Sequence, residues 1–236
     1  MRIAVLMALS LLIAGCSPAT VSEPEQTRAT TSGSAAPSRA AMPPVPSGAA
    51  PVRPNPSTPP PDGASIADVI GWIEAGRPVD AAGYHRATRD GETTELGADI
   101  AFTAPAGSSR ATTCLTDSQH TAGSLACLVD LTDPPPRPED VYGQWKGGWV
   151  DFTGETLQVG SAHGDPGPFR NGLGPELPSG GALAFGDYRC RVERADLYCV
   201  NYAHRSAVRL SPTGVRPFGC LHPVPPPADV GELFGC

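Results

Sequence analysis

Lysine is almost missing from this chain. Lys146 stands alone among 17 basic residues, and 24 carboxylates set the formal charge of the 236 residues at −7. An acidic chain with scattered arginine lacks the basic stripe that phosphodiester and acidic-lipid surfaces select. A nucleic-acid partner is therefore excluded and an acidic-lipid surface disfavoured. Aromatic side chains are absent before Trp72, so the N-terminal stretch has little with which to nucleate a core. No C-x2-C pair occurs, and the 5 histidines stand apart at 85, 120, 163, 204 and 222. Structural zinc needs soft ligands brought together, which this scatter does not supply, and no metal or cofactor is expected. Long apolar runs are missing too. The longest, Ile3 to Ile13 broken by Ser10, is about eleven residues, well short of the roughly 20 that cross a hydrocarbon core. These absences exclude a coiled coil, a multi-span membrane protein and a large two-domain enzyme.

Proline is plentiful, with 28 residues, and much of it lies between residues 17 and 63. There Pro43-Pro44, Pro46, Pro51, Pro54, Pro56 and Pro59-Pro60-Pro61 favour an extended backbone without ladder hydrogen bonds. The charges of this stretch, Glu23, Glu25 and Asp62 against Arg28, Arg39 and Arg53, cancel. So few apolar side chains cannot offset the entropy of ordering the segment. It reads as a spacer, with a reach of about 150 Å as polyproline and about 40 Å as a flexible coil.

Ahead of the spacer, Met1-Arg2 supplies one positive charge, and the apolar run fits the h-region of a secretory signal peptide. The run closes on Leu12-Ile13-Ala14-Gly15-Cys16, which resembles a bacterial lipobox. Small residues admit the backbone to a peptidase, and the thiol accepts a diacylglyceryl group. The resemblance implies that Cys16 becomes a lipidated N-terminus, anchoring the protein at the extracytoplasmic face of the cell membrane. Two or three acyl chains hold stably where one does not. The expected organisation is a signal peptide over 1–15, lipidated Cys16 and a disordered Pro/Ala/Ser-rich spacer over 16–64, and one globular domain over 65–236.

Six cysteines remain: Cys114, Cys127, Cys190, Cys199, Cys220 and Cys236. An even number in an exported domain reads as a disulfide framework, with more than a dozen connectivities open. Local pattern favours sequential pairing. From Tyr188 to Asn201, apolar and polar residues alternate on two arms, and a turn at Arg194-Ala195 sets Cys190 opposite Cys199. That face also carries Tyr188, Val192 and Leu197, and is expected to be buried. Cys114 and Cys127 flank a turn-rich loop, and Cys220 with Cys236 would tie down the C-terminus.

One helix is expected: Ile66, Val69, Ile70 and Ile73 recur at helical spacing, Ser65 caps them and Gly76 stops them. Asp90-Gly91 marks a hairpin turn. Strands are expected near 99–103, 110–116, 124–131, 148–152, 156–160, 183–192, 197–203, 205–211 and 214–218. The fold class is mainly β, a compact antiparallel sandwich or barrel with one N-terminal amphipathic helix, stapled by disulfides. A weak repeat sets Phe102 and the Cys114–Cys127 hairpin against Phe185 and the Cys190–Cys199 hairpin.

Taken together, several motifs carry a resemblance over residues 65–236. They are Trp72-Ile73-Glu74-Ala75-Gly76, the strand through Phe102, Asp133-Pro134-Pro135-Pro136-Arg137-Pro138 and Trp145-Lys146-Gly147-Gly148-Trp149. Tyr188-Arg189-Cys190, Cys199-Val200-Asn201 and Leu210-Ser211-Pro212 complete the set. The chain resembles a domain of actinobacterial secreted proteins and lipoproteins, in particular the LppI-like lipoproteins of mycobacteria. The resemblance implies a cell-envelope lipoprotein and carries over no catalytic residue.

Catalytic readings are weak on geometry. Ser161-Ala162-His163-Gly164-Asp165 holds the residue types of a hydrolytic triad, but crowds them into one Gly-rich loop instead of converging them from separate elements. Asp151-Phe152-Thr153-Gly154 reads as a strand end and a turn. Asp130, Asp133, Glu139 and Asp140 are separated by prolines, which suits a solvated loop better than a Ca²⁺ site. Two binding features stand out. Opposite the cystine face, the hairpin presents Arg189, Arg191, Tyr198, Val200 and Tyr202, an Arg–aromatic surface suited to glycans, carboxylates or a protein partner, or else to packing under another element. Trp145 and Trp149, set among glycines, either line a sugar- or lipid-accepting groove or plug the core. The expected function is a non-catalytic binding module for an envelope glycan, lipid or protein. A carrier enclosing an apolar ligand is the alternative, and an envelope hydrolase working through His163 or His204 stands third.

Overall fold

The computed structural model describes residues 57–105, 107, 109–162 and 167–236. The signal peptide, Cys16, most of the spacer and His163 lie outside the described residues. Ser65 starts the helix Ile66–Glu74: its Oγ accepts from the Asp68 N–H at 3.2 Å and donates to the Asp68 carboxylate at 2.7 Å. Val69, Trp72 and Ile73 form the buried stripe. Among the described residues no helix is long and apolar enough to cross a membrane.

The strands in chain order begin with β1 (Arg77–Pro78), β2 (Arg86–Arg89), β3 (Glu92–Glu95), β4 (Ala101–Ala104) and β5 (Thr112–Thr116). Next come β6 (Leu125–Leu128), β7 (Lys146–Phe152), β8 (Thr156–Ser161), β9 (Gly181–Phe185) and β10 (Tyr188–Glu193). The last are β11 (Asp196–Asn201), β12 (Ser206–Ser211), β13 (Gly214–Phe218), β14 (His222–Val224) and β15 (Val230–Gly235). A 6-stranded sheet runs β1-β9-β10-β11-β12-β13, and a 7-stranded sheet runs β14-β15-β8-β7-β6-β5-β4. The two pack face to face as a sandwich, not a closed barrel. Their outer faces are covered in different ways. The helix lies on β10, β11 and β12 of the six-stranded sheet. The β2–β3 hairpin and the turn Gly167–Asn171 lie on the other, over Ala101 and Leu115.

Each sheet contains a five-stranded meander, and the two repeat one core row. Phe102, Cys114, Cys127, Val150 and Val159 stand side by side across β4 to β8. Leu183, Cys190, Cys199, Val208 and Pro217 do so across β9 to β13. The repeat is thus present, but Leu183 takes the place expected of Phe185. The cysteines pair sequentially, Cys114–Cys127, Cys190–Cys199 and Cys220–Cys236. In the first two pairs the Cα atoms lie 4.1 Å apart, directly across neighbouring strands.

Three sequence expectations change. The strand over 183–192 is two strands, because Gly186-Asp187 makes a turn, with Gly186 at φ 47°. The C-terminus does more than tie down: β14 and β15 extend the seven-stranded sheet. The domain also begins before residue 65. Pro60 is buried, and Asp62 bridges Arg209 at 3.0 Å and Arg216 at 3.3 Å, so the end of the spacer is strapped to the six-stranded sheet.

Candidate functional site

The Arg–Tyr face of the β10–β11 hairpin is not a free surface. The alternation sets Arg191 opposite Tyr198 as expected, but the helix covers both. Arg191 is 7% exposed; its guanidinium lies 3.8 Å from the Trp72 ring centre and donates to the Trp72 carbonyl at 2.6 Å. Glu193 adds an ion pair at 3.6 Å. Burial lowers the Arg191 pKa, and Glu193 acts against that. Tyr198 is 1% exposed, with its ring 4.8 Å from Trp72. Val200 is buried beside it. Tyr202, half-buried, donates to Glu74 Oε1 at 3.0 Å, and Arg189 lies beside it. Burial raises the pKa of Tyr198 and of Tyr202, and Glu74 raises that of Tyr202 further. The expected binding face is therefore the seam that holds the helix down. Alternation reveals which face a residue takes but not what lies on it.

The tryptophans divide. Trp149 is 2% exposed, sets its ring edge-on to Phe169 at 5.2 Å and donates from Nε1 to Asp151 Oδ2 at 2.7 Å. Trp145 is half-buried and donates to the Pro135 carbonyl at 3.1 Å. Its ring fills the space over Gly160, where a Cβ would meet Cζ2 at 2.7 Å. Both are packing residues. Even so, Trp149 positions a neighbour, since the Lys146 ammonium lies 5.6 Å from its ring centre.

Lys146 borders a groove of about 630 Å³ on the outer side of the seven-stranded sheet. Thr113 and Leu128, cross-strand partners, line it together with Val129 and Gly148. Leu173 lines it from the segment that crosses outside the sheet, with 57% of its surface exposed. Arg110, Ala111, Asp130 and Lys146 complete the lining. Gly174 makes the placement of Leu173 possible: a Cβ there would fall 2.0 Å from the Ala101 carbonyl carbon, so only glycine lets the segment lie this close. Sequence reasoning found the Trp/Gly segment but missed Leu173, Leu128 and Arg110. Leu173 lies in an irregular stretch without period, and the one available signal was its flanking glycines, Gly172 and Gly174.

A second opening, of about 420 Å³, lies at the end of the sandwich where turns of both sheets meet. Its polar groups hold those turns. Asp99 accepts from Thr116 Oγ1 at 2.9 Å, Ser118 N at 2.8 Å and Ser118 Oγ at 3.0 Å. Tyr188 donates to the Phe152 carbonyl at 2.9 Å, and burial raises its pKa. What His204 contributes is its backbone N–H, to Asn201 Oδ1 at 3.1 Å. Ser161 is buried at the end of β8, and Asp151 is held by Trp149. Among the described residues no three His, Cys, Asp or Glu side chains gather as a metal site. Compared with protein-family models, curated proteins and solved structures, the chain finds no match.

Proposed function

We propose that the protein is a lipoprotein of the cell envelope, anchored through lipid on Cys16 at the extracytoplasmic face of the membrane. Its domain works by binding, in the groove outside the seven-stranded sheet. The observation that carries the binding reading is the groove itself, which the 57%-exposed Leu173 and the half-buried Leu128 both line. An exposed apolar side chain over a half-buried one in a concave site, with polar groups at one end, is the kind of surface that ligand recognition uses. The lipobox and the resemblance to LppI-like lipoproteins support the anchor, and three disulfides suit an oxidising compartment. A carrier that encloses its ligand is less well supported, because cystines and packed apolar side chains fill the space between the sheets.

The anchor is tested by Cys16→Ser. The wild-type protein is expected in the membrane fraction and the variant in the soluble extracytoplasmic fraction. A variant that stays in the membrane fraction would overturn the anchor.

A further inference from the structure

The groove's chemistry narrows its ligand. β5 and β7 both run antiparallel to β6, so the start of β5, the start of β7 and the end of β6 lie at one end of the sheet. Arg110 stands just before β5, Lys146 opens β7, and Asp130 follows β6. Among the described residues the groove therefore has a polar end with two cations to one carboxylate, and that carboxylate also accepts from Ser109 Oγ at 2.8 Å. Away from that end, Leu128 and Leu173 make the groove apolar. The net acidity of the chain argues against a broad acidic-lipid surface, so attraction of an anion rests on these two cations at close range.

We infer that the groove binds an anionic amphiphile with a single alkyl chain, its carboxylate or phosphate head at Arg110 and Lys146 and its chain along Leu128 and Leu173. This rests on the reading of the groove as the binding surface. A volume of about 630 Å³ lies within the range of sites that hold ligands of this size. Trp149 acts as a positioning residue, since its ring holds the Lys146 ammonium over the polar end. Charge-assisted hydrogen bonds from an arginine and a lysine distinguish an anion from a neutral or cationic head.

The test uses the whole exported chain carrying Cys16→Ser, titrated calorimetrically below the micelle concentration of each probe. The probes are dodecyl phosphate, dodecanoate and dodecyltrimethylammonium. The two anions are expected to bind, and the stronger of them identifies the head as phosphate or carboxylate; the cation is expected not to bind. Lys146→Glu should weaken the anions about tenfold or more, and Lys146→Arg should restore them. Leu173→Asp should abolish binding, with the thermal melt of each variant confirming its fold. Equal binding of cation and anions, or anion binding unmoved by Lys146→Glu, would overturn the anionic ligand. If Leu173→Asp still abolished binding in that case, the groove would stand as the binding surface. Anion binding indifferent to both substitutions would overturn the groove as well.

Discussion

Arg191 is a cation in a place where burial makes charge costly, and its surroundings show why it is retained. The Trp72 ring, the Trp72 carbonyl and Glu193 each favour the guanidinium. Arg191→Ala leaves a buried carbonyl without its donor and a void against the indole. It should lower stability to urea by about 2–3 kcal/mol, with Arg191→Met losing less because it keeps the packing. Equal losses would place the stabilisation in the hydrogen bond rather than the packing. Asp117 offers a second test at this scale. It accepts from the N–H groups of Gln119 at 3.2 Å and His120 at 3.1 Å, and pairs with the His120 ring at 2.8 Å. Burial alone would raise its carboxyl pKa, but the His120 contacts and the Gln119 N–H outweigh that and hold it below the usual range. A carboxyl depressed on folding contributes stability above its unfolded pKa and loses it as pH falls through the folded one. Asp117→Asn should therefore be less stable than wild type at neutral pH, and the gap should close as pH falls through the depressed folded pKa of the carboxyl. A gap that persists in acid would contradict the assignment.

Among the elements, the strap over residues 57–64 is the most informative. Arg209 and Arg216 stand directly opposite one another on β12 and β13, a like-charge pair that disfavours the sheet unless an anion lies between them. Asp62 is that anion. Asp62→Asn should loosen the strap and speed hydrogen exchange over 58–64, at a cost of about 1 kcal/mol in overall stability. Unchanged exchange there would show that the buried Pro60 holds the strap without the ion pairs. Strands, helix and hairpin register were legible where a local rule decided them. Ser65 and the i, i+3, i+4 apolar positions gave the helix, and alternation about Arg194-Ala195 gave the pairing of Cys190 with Cys199. Where position in the sheet decided instead, the sequence was opaque. Pro223 argues against a strand, yet β14 sits at the sheet edge, where a missing N–H is tolerated. The groove was opaque for the same reason: it joins residues from β5, β6, β7 and an irregular crossing segment that no single periodicity connects.

At the scale of the whole molecule, the two meanders with matching cystine rows fill the interior, so space for a ligand lies on the outside. The helix and the strap cover the outer side of one sheet. On the other, the β2–β3 hairpin and the 167–171 turn leave the groove open. The proposed function combines this open groove with an anchor and spacer that would hold the domain near the membrane. One measurement tests that combination most directly: the mass of the protein extracted from its own membranes without reduction, taken in native and then in denaturing solvent. The denatured chain is expected to begin at Cys16, carry acyl mass and weigh six hydrogens less than its all-thiol form, as three disulfides require. The native species is expected to carry extra mass that is lost on denaturation and missing from Leu173→Asp. A full-length, unacylated chain with the same mass in both solvents would contradict the account.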